Sequence, residues 1–373
     1  MKELIFIDSS RSLNLRNIGG TNSIIRRIIG GLNGAVSVTL IDIRPKSSVE
    51  IEPKSLNGEV YCKYNSVFPA LALLWKRRDV VVVDIYLHPA QRLIFWLFRI
   101  FNRRVSFSKI FFSYPKSSTK RFLSFFDALV WPYNGKVFCV SCRQVQYLRG
   151  LRVKNVMRMF PPIPRLYFNQ ASSVERSSGP ITITWVGRLD RGKGADLVFE
   201  IMSKLEAQFS ELKFDLLVHS VANSLSVEVP AEIMSNPRYR VSSVSYDGYT
   251  PALETQVSET LSRGNIFICP YRELQSTIDC PMLIQEAAAA GLCVVTRDYP
   301  VSREILGERG VFVGDVKDDD ELIMSFTSAT AALIGDLSSK HYDDTLARSH
   351  ELQNLFEATK ISREFIEAAF GNR

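Results

Sequence analysis

Short, continuous apolar runs alternate along this chain with longer segments whose apolar residues recur every three or four positions. Leu4-Ile-Phe-Ile-Asp8 predicts a buried strand, and Ile24, Ile25, Ile28, Ile29 and Leu32 share one face of a helix that ends among Gly30, Gly31 and Gly34. Strands follow at 36–42 and 80–85; the second opens with four valines, the pattern of a strand covered on both faces. Segments 138–141 and 156–160 close this half. The scheme then restarts with strands at 181–185, 214–218, 265–269, 293–296 and 311–313, and a helix carrying Leu197, Val198, Ile201, Met202 and Leu205. Strands separated by helices predict an α/β fold with two parallel sheets, each covered on both faces.

Two Rossmann-like domains facing each other across a cleft are therefore expected: 1–165, and 166–373 with its last helix, about 358–370, packing back on the first domain. Pro161-Pro-Ile-Pro164 and the Ser-rich segment ending at Pro180 read as a linker over 161–180. Ligands of open parallel sheets bind beyond the strand C-termini, which directs attention to the loops there.

Charge divides the chain. Residues 1–170 hold 27 Lys and Arg against 9 Asp and Glu, whereas 171–373 hold 19 against 30. The first half is thus expected to face something anionic. Within 92–126, Lys and Arg alternate with 11 aromatic residues and no acidic one, a mixture suited to an anionic membrane surface; a core helix with charged flanks and a nucleic-acid surface are the other readings, and no nucleic-acid partner is expected. The longest apolar run, Leu93–Phe98, is too short to span a bilayer. Six cysteines without metal-ligand spacing around Cys139 and Cys142 predict free thiols and no metal site, and together with the strand that starts at once after Met1-Lys2-Glu3 they predict a cytoplasmic protein; the basic, aromatic stretch adds a peripheral place on the inner face of the cell membrane. Asp318-Asp-Asp-Glu321 formally contains D-x-D, but it precedes an apolar helix and reads as an N-cap and first turn.

Two segments carry candidate chemistry. Val186-Gly187-Arg188-Leu189-Asp190-Arg191-Gly192-Lys193-Gly194 lies between a strand and a helix, where glycines admit an anion to the backbone and Arg188 and Lys193 add positive charge. Fixed cations there stabilise the charge that grows on a departing diphosphate. Asp279-Cys-Pro281-Met282-Leu283-Ile-Gln-Glu286-Ala-Ala-Ala-Ala-Gly291 predicts a helix with Pro281 at its first position and Gly291 past its end, followed by the strand Cys293–Thr296. Glu286 is then placed to accept hydrogen bonds from a ribose or sugar diol.

In order and spacing, these two segments resemble the donor site of glycosyltransferase family 4. The family opens its C-terminal domain with a strand and V-G-R-L…K-G, here Val186–Leu189 with Lys193-Gly194, and its second signature, E-A-x-A-x-G and a Val-rich strand, matches Glu286–Gly291 with Val294-Val295. The resemblance covers nearly the whole chain and implies the GT-B fold and a retaining transfer from a nucleotide diphosphate sugar; with the cationic first half, a lipid-linked or polysaccharide acceptor is expected. It implies that Arg188 and Lys193 contact the donor phosphates, that Glu286 holds the ribose, and that the backbone from Pro281 through Met282 to Leu283 caps the diphosphate. Gly19 and Gly20 match the glycine loop after the first strand, near the donor phosphate. No cofactor is implied beyond the donor itself. Ile278 occupies the place where the family usually has a sugar-binding carboxylate, so Asp279, one residue on, is the candidate. The family's N-domain histidine has no match in 110–115, which leaves His88 as the candidate near the reacting centre. A non-catalytic scaffold and a nucleotide-sugar epimerase of the same fold are the competing readings.

Overall fold

The computed structural model describes residues 2–10, 13, 20–44, 58–112, 134–168, 179–220, 227–245, 250–272, 279–337 and 339–371. They divide into two compact units, Met1–Pro162 with Ala358–Arg373, and Ile163–Glu357. The division falls three residues before the 165/166 boundary expected from the prolines. Ile163 already bridges Glu357, and Arg165–Tyr167 forms a 3-10 turn, so the expected linker belongs to the second unit from Ile163 onward.

The first unit contains strands β1 (Glu3–Asp8), β2 (Ser37–Ile43), β3 (Val60–Tyr64), β4 (Val80–Tyr86), β5 (Val105–Phe111), β6 (Val137–Cys139) and β7 (Val156–Arg158). They form one parallel sheet in the order β3-β2-β1-β4-β5-β6-β7. Every residue of β1 is buried, as expected of a central strand covered on both faces. Helices α1 (Gly20–Gly31), α2 (Val67–Trp75) and α3 (Pro89–Phe101) connect the early strands. The C-terminal helix Ala358–Phe370 packs on α1: Ser362 Oγ donates to the Ile28 carbonyl at 2.9 Å, and a Cβ at Gly31 would lie 2.5 Å from the Ala358 carbonyl oxygen. Gly31 thus serves close helix contact, while Gly34, at φ +75°, supplies the turn. Phe365 lies 4.5 Å from the Phe138 ring and 6.2 Å from that of Phe6; burial of one such side chain contributes roughly 1.5–3 kcal/mol.

The second unit contains β8 (Thr182–Arg188), β9 (Lys213–Ser220), β10 (Tyr239–Ser245), β11 (Ile266–Cys269), β12 (Cys293–Arg297) and β13 (Val311–Val313), ordered β10-β9-β8-β11-β12-β13. Strand order reverses between β8 and β11, which makes their C-terminal ends the place where such sheets take ligands. Trp185, Phe214, Leu216 and Ile268 pack with Leu197, Ile201 and Phe326 from the helices Ala195–Gln208 and Asp319–Asp336. Asp318 caps the second of these by accepting from the Glu321 N–H at 3.0 Å, so the acidic run is a helix start.

Three strands are missing from the sequence reading: β3, β5 and β10. The clearest is β5, whose Val-Ser-Phe-Ser-Lys-Ile-Phe sits within the basic stretch yet is buried at Ser106, Ser108 and Lys109. Lys109 Nζ lies 3.1 Å and Arg92 Nε 3.2 Å from Asp84 Oδ2 on the neighbouring strand. That counter-charge, invisible to a local pattern, lets a cationic segment enter the sheet. Only 92–112 of the basic stretch falls within the described residues; it is α3 followed by β5.

Candidate functional site

The site is built where β8 and β11 end. The strand β8 runs past the expected end at Trp185, because Val186, Gly187 and Arg188 keep their register with Leu217, Val218 and His219 of β9. Gly187 is needed for packing: a Cβ there would lie 2.7 Å from Cζ2 of Trp185. Arg188, the last residue of the strand, points its guanidinium to within 3.6 Å of Asp190 Oδ2. Asp190 then caps a 3-10 turn, Arg191–Lys193, by accepting from the Gly192 N–H at 2.7 Å. Gly194 follows at φ +70°, and a Cβ there would come 2.3 Å from the Pro270 carbonyl oxygen. The glycine therefore allows the loop after β8 to lie against the chain leaving β11.

Lys193 reaches across that contact, with its Nζ 4.4 Å from the centre of the Tyr271 ring. Burial, reinforced by the like charge of Arg188, lowers its pKa to about 8. Tyr271 is itself buried; loss of water, with Cys269 and Glu286 nearby, drives its phenol far above the ordinary range, and Arg188 acts in the opposite sense. Burial pushes the Cys269 thiol up to about 12. Arg188, Lys193, Tyr271 and Glu286 thus share one electrostatic neighbourhood, bringing both charged segments singled out in the sequence to the same strand ends.

A clamp holds this arrangement. Arg272 Nη1 donates to the Arg191 carbonyl and to Asp196 Oδ1, both at 2.6 Å; Nη2 donates to Asp196 Oδ2, and Nε to Asp319 Oδ1, each at 2.8 Å. On the other side, Tyr299 donates to the Tyr271 carbonyl at 3.0 Å and Arg297 to the Arg272 carbonyl at 2.6 Å. The turn bearing Lys193 and the loop bearing Tyr271 are consequently tied to each other and to two helix N-termini.

Glu286 lies buried in the helix Met282–Ala289. Pro281 stands at the N-cap of that helix, one position earlier than expected, with extended backbone and no side-chain cap; Met282 and Leu283, half-buried, form its first turn. Its far end closes as expected of a glycine terminus: Gly291, at φ +76°, donates to the Ala288 carbonyl at 3.0 Å and Leu292 to that of Ala287 at 3.1 Å. Asp279 is buried just before the helix, while Ile278 lies outside the described residues.

In the first unit, Gly20 opens α1 and Gly19 lies outside the described residues. His88 is exposed and caps α3, its Nδ1 accepting from the Ala90 N–H at 3.4 Å within a capping box completed by Gln91. That is a structural employment for the ring. Among the described residues, no group of three or more His, Cys, Asp or Glu side chains is arranged to hold a metal ion, and all six cysteines are free thiols.

Sequence reasoning overlooked Tyr271, Arg272 and His219. His219, the second-last residue of β9, pairs in register with Arg188; its Nε2 is buried with no hydrogen-bond partner, and burial together with the Arg188 charge lowers its pKa to about 4. Only the strand pairing of 188 with 219 could have pointed to it. A separate cavity of about 470 Å³ in this unit opens at the opposite strand ends, between Cys293, Val311, Leu333 and His341.

Residues 180–334 match the family described as glycosyl transferases group 1. No curated protein matches the sequence. Among solved structures, the sucrose-phosphate synthase of Thermosynechococcus elongatus superimposes with a TM-score of 0.64 at 14% identity, covering 98% of either chain. An E. coli trehalose-6-phosphate structure bound with UDP-2-fluoro glucose gives 0.63 at 10% identity over 99% of both chains. TarM of S. aureus, solved with Fondaparinux, alpha-GlcNAc-glycerol and UDP, gives 0.61 at 10% identity, again over 99% of both. At such identities the likeness is one of fold.

Proposed function

We propose, on the premise that this chain is a group 1 glycosyltransferase of GT-B fold whose family match spans residues 180–334, that it moves a sugar, with retention, from a nucleotide diphosphate sugar to a lipid-linked or polysaccharide acceptor. The observation that carries the donor half of this reading is the meeting of Arg188, Lys193 and Glu286 around Tyr271. The E. coli and S. aureus structures, whose ligands include UDP or a UDP-sugar, support the donor class. The cationic first half supports an acceptor that carries negative charge.

In this reading Arg188 and Lys193 hold the diphosphate, Glu286 accepts from the ribose hydroxyls, and the first turn at Met282 and Leu283 offers backbone N–H groups to the phosphate. Asp279 takes the sugar hydroxyls. The anomeric C–O bond to the β-phosphate breaks and its electron pair stays with the phosphate oxygen. A new C–O bond forms to the acceptor hydroxyl, whose proton leaves with the departing phosphate. Preorganised cations lower the barrier because the charge grows on the group they already face. Lys193 is suited to this, because a desolvated ammonium repelled by Arg188 regains favourable electrostatics only when an anion arrives. The six free thiols accord with a cytoplasmic place of action.

A panel of UDP-, GDP- and dTDP-sugars, screened by thermal shift and then by release of the free nucleoside diphosphate, tests the proposal. One donor class is expected to stabilise the protein and to be turned over. Arg188→Ala removes a charge-assisted contact worth about 1.5–3 kcal/mol and weakens that donor about ten- to a hundredfold. Wild-type protein that binds a donor but never releases nucleotide, with any acceptor fraction, overturns the transferase reading.

A further inference from the structure

Among the described residues of the first unit, every exposed large apolar side chain except Val60 lies on α2 or α3. Phe101 is 76% exposed, Phe68 68% and Trp75 62%; Leu93, Leu97 and Ile100 follow. The two helices touch, with the Trp75 and Phe98 rings edge to face at 5.9 Å. Their inner faces are already satisfied, because Ala70, Leu74, Phe95 and Phe98 pack into the core under the sheet. α2 is therefore apolar on its outer face too, α3 exposes its apolar residues beside Arg99, and neither helix contains an acidic residue. A helix apolar all round is normally buried, and clustered exposed apolar surface marks an interaction site.

The chemistry at the rim selects the partner. Lys76, Arg77 and Arg78 follow α2 and are exposed. Beside the outer face of α3 opens a cavity of about 420 Å³ lined by Trp96, Arg99, Ile100 and Arg103. Burial, then the charge of Arg103, holds the Arg99 guanidinium below its ordinary pKa. Two guanidiniums that repel each other beside an indole and an aliphatic side chain form a site for a phosphate attached to something apolar. No single helix among the described residues is long and apolar enough to cross a membrane.

We propose that the outer faces of α2 and α3 dock on an anionic phospholipid bilayer, with Trp75, Leu97 and Phe101 entering the headgroup layer and a lipid phosphate seated between Arg99 and Arg103. This goes beyond the donor chemistry and is independent of it.

The test is sedimentation of the full chain with vesicles of phosphatidylcholine alone and of phosphatidylcholine mixed with phosphatidylglycerol. Binding to the mixture only is expected. Removing two cations, each contributing about 1 kcal/mol near an anionic surface, makes R99A/R103A bind the mixture about 30-fold more weakly. L97S/F101S, at two exposed positions, also loses binding while Tm stays in place. Both variants keep the wild-type thermal shift with the donor, so failure here is distinguishable from failure of the transferase reading. Equal binding to both vesicle types, binding unaffected by either variant, or stronger capture of single-stranded RNA than of vesicles overturns the proposal. So does inorganic phosphate that stabilises the chain through Arg99 and Arg103 without any vesicle binding, since the pocket would then take a free anion.

Discussion

Replacing Lys193 with Met separates a residue kept for its ligand from one kept for the fold. Lys193 is half-buried over the Tyr271 ring, and its pKa falls from 10.5 to about 8 through burial first and Arg188 second, with Cys269 and Asp190 pulling weakly the other way. At neutral pH a shift of that size corresponds to about 3 kcal/mol spent on keeping the ammonium charged; solvent screening of a half-buried group reduces it to about 1–2 kcal/mol. Met removes that cost and keeps the aliphatic contact, but forfeits a cation–π attraction of about 0.5–1 kcal/mol. The variant should therefore be between equally stable and about 1.5 kcal/mol more stable, which in a domain of this size is an increase of up to roughly 3–6 °C in Tm. Donor affinity should move the opposite way, about ten- to a hundredfold weaker, for the loss of a charged hydrogen bond of about 1.5–3 kcal/mol. Linkage adds a pH signature. The unfolded chain holds this proton to about 10.5 and the folded one releases it near 8, so the lysine makes wild-type stability rise between those values. In the proposed reading donor binding needs the proton, so the wild-type Kd should be level below about pH 8 and climb about tenfold per unit above it, a climb the Met variant lacks. Calorimetric titration with the donor across that range, alongside thermal melts, measures both. A Met variant with lower Tm and unchanged donor affinity would refute the reasoning, since Lys193 would then be a structural cation.

Three further outcomes follow from the geometry. Gly194→Ala combines positive φ with a Cβ 2.3 Å from the Pro270 carbonyl oxygen and should cost at least about 2 kcal/mol, read as a lower Tm, with donor binding lost because the turn bearing Lys193 is displaced. Arg272→Ala leaves the Asp196 and Asp319 carboxylates facing each other and releases the Arg191 carbonyl; a loss of about 1–3 kcal/mol in denaturant melts should come with weaker donor binding, which Arg272→Lys restores only in part because one ammonium cannot form the fork. Asp84→Asn takes the carboxylate from buried Lys109 and from Arg92 and should cost about 3–5 kcal/mol. Burial raises the Asp84 pKa, but Lys109 and Arg92 outweigh it and hold it below the usual range. Its contribution is therefore present above the ordinary aspartate pKa and is lost as pH falls through the lowered one, so an acid melt of the variant should lack that part of the wild-type loss.

How much was legible in the sequence depends on whether the determining interaction is local. The four valines of β4 and the six buried residues of β1 declare central parallel strands by their own composition. Asp318 before an apolar helix, and Gly291 after an alanine run, declare helix ends, because caps act within a few residues. For the same reason Arg188, Lys193 and Glu286 could be picked out: each sits at a fixed distance from a strand end or a helix start. What the sequence could not contain is the partner across the sheet. Lys109 enters a buried strand only because Asp84 waits on its neighbour, and a cationic stretch read by itself looks like surface. Gly187 reads in the sequence as a glycine for an anion, yet the Trp185 ring two residues back already occupies the space of a side chain. Tyr271, Arg272 and His219 carry no motif; they matter because β8, β9 and β11, far apart in the chain, end side by side. Local pattern therefore determined the elements and the charged residues at their ends, while tertiary structure decided which of those ends meet, since pairing and desolvation depend on neighbours that only the folded sheet brings together.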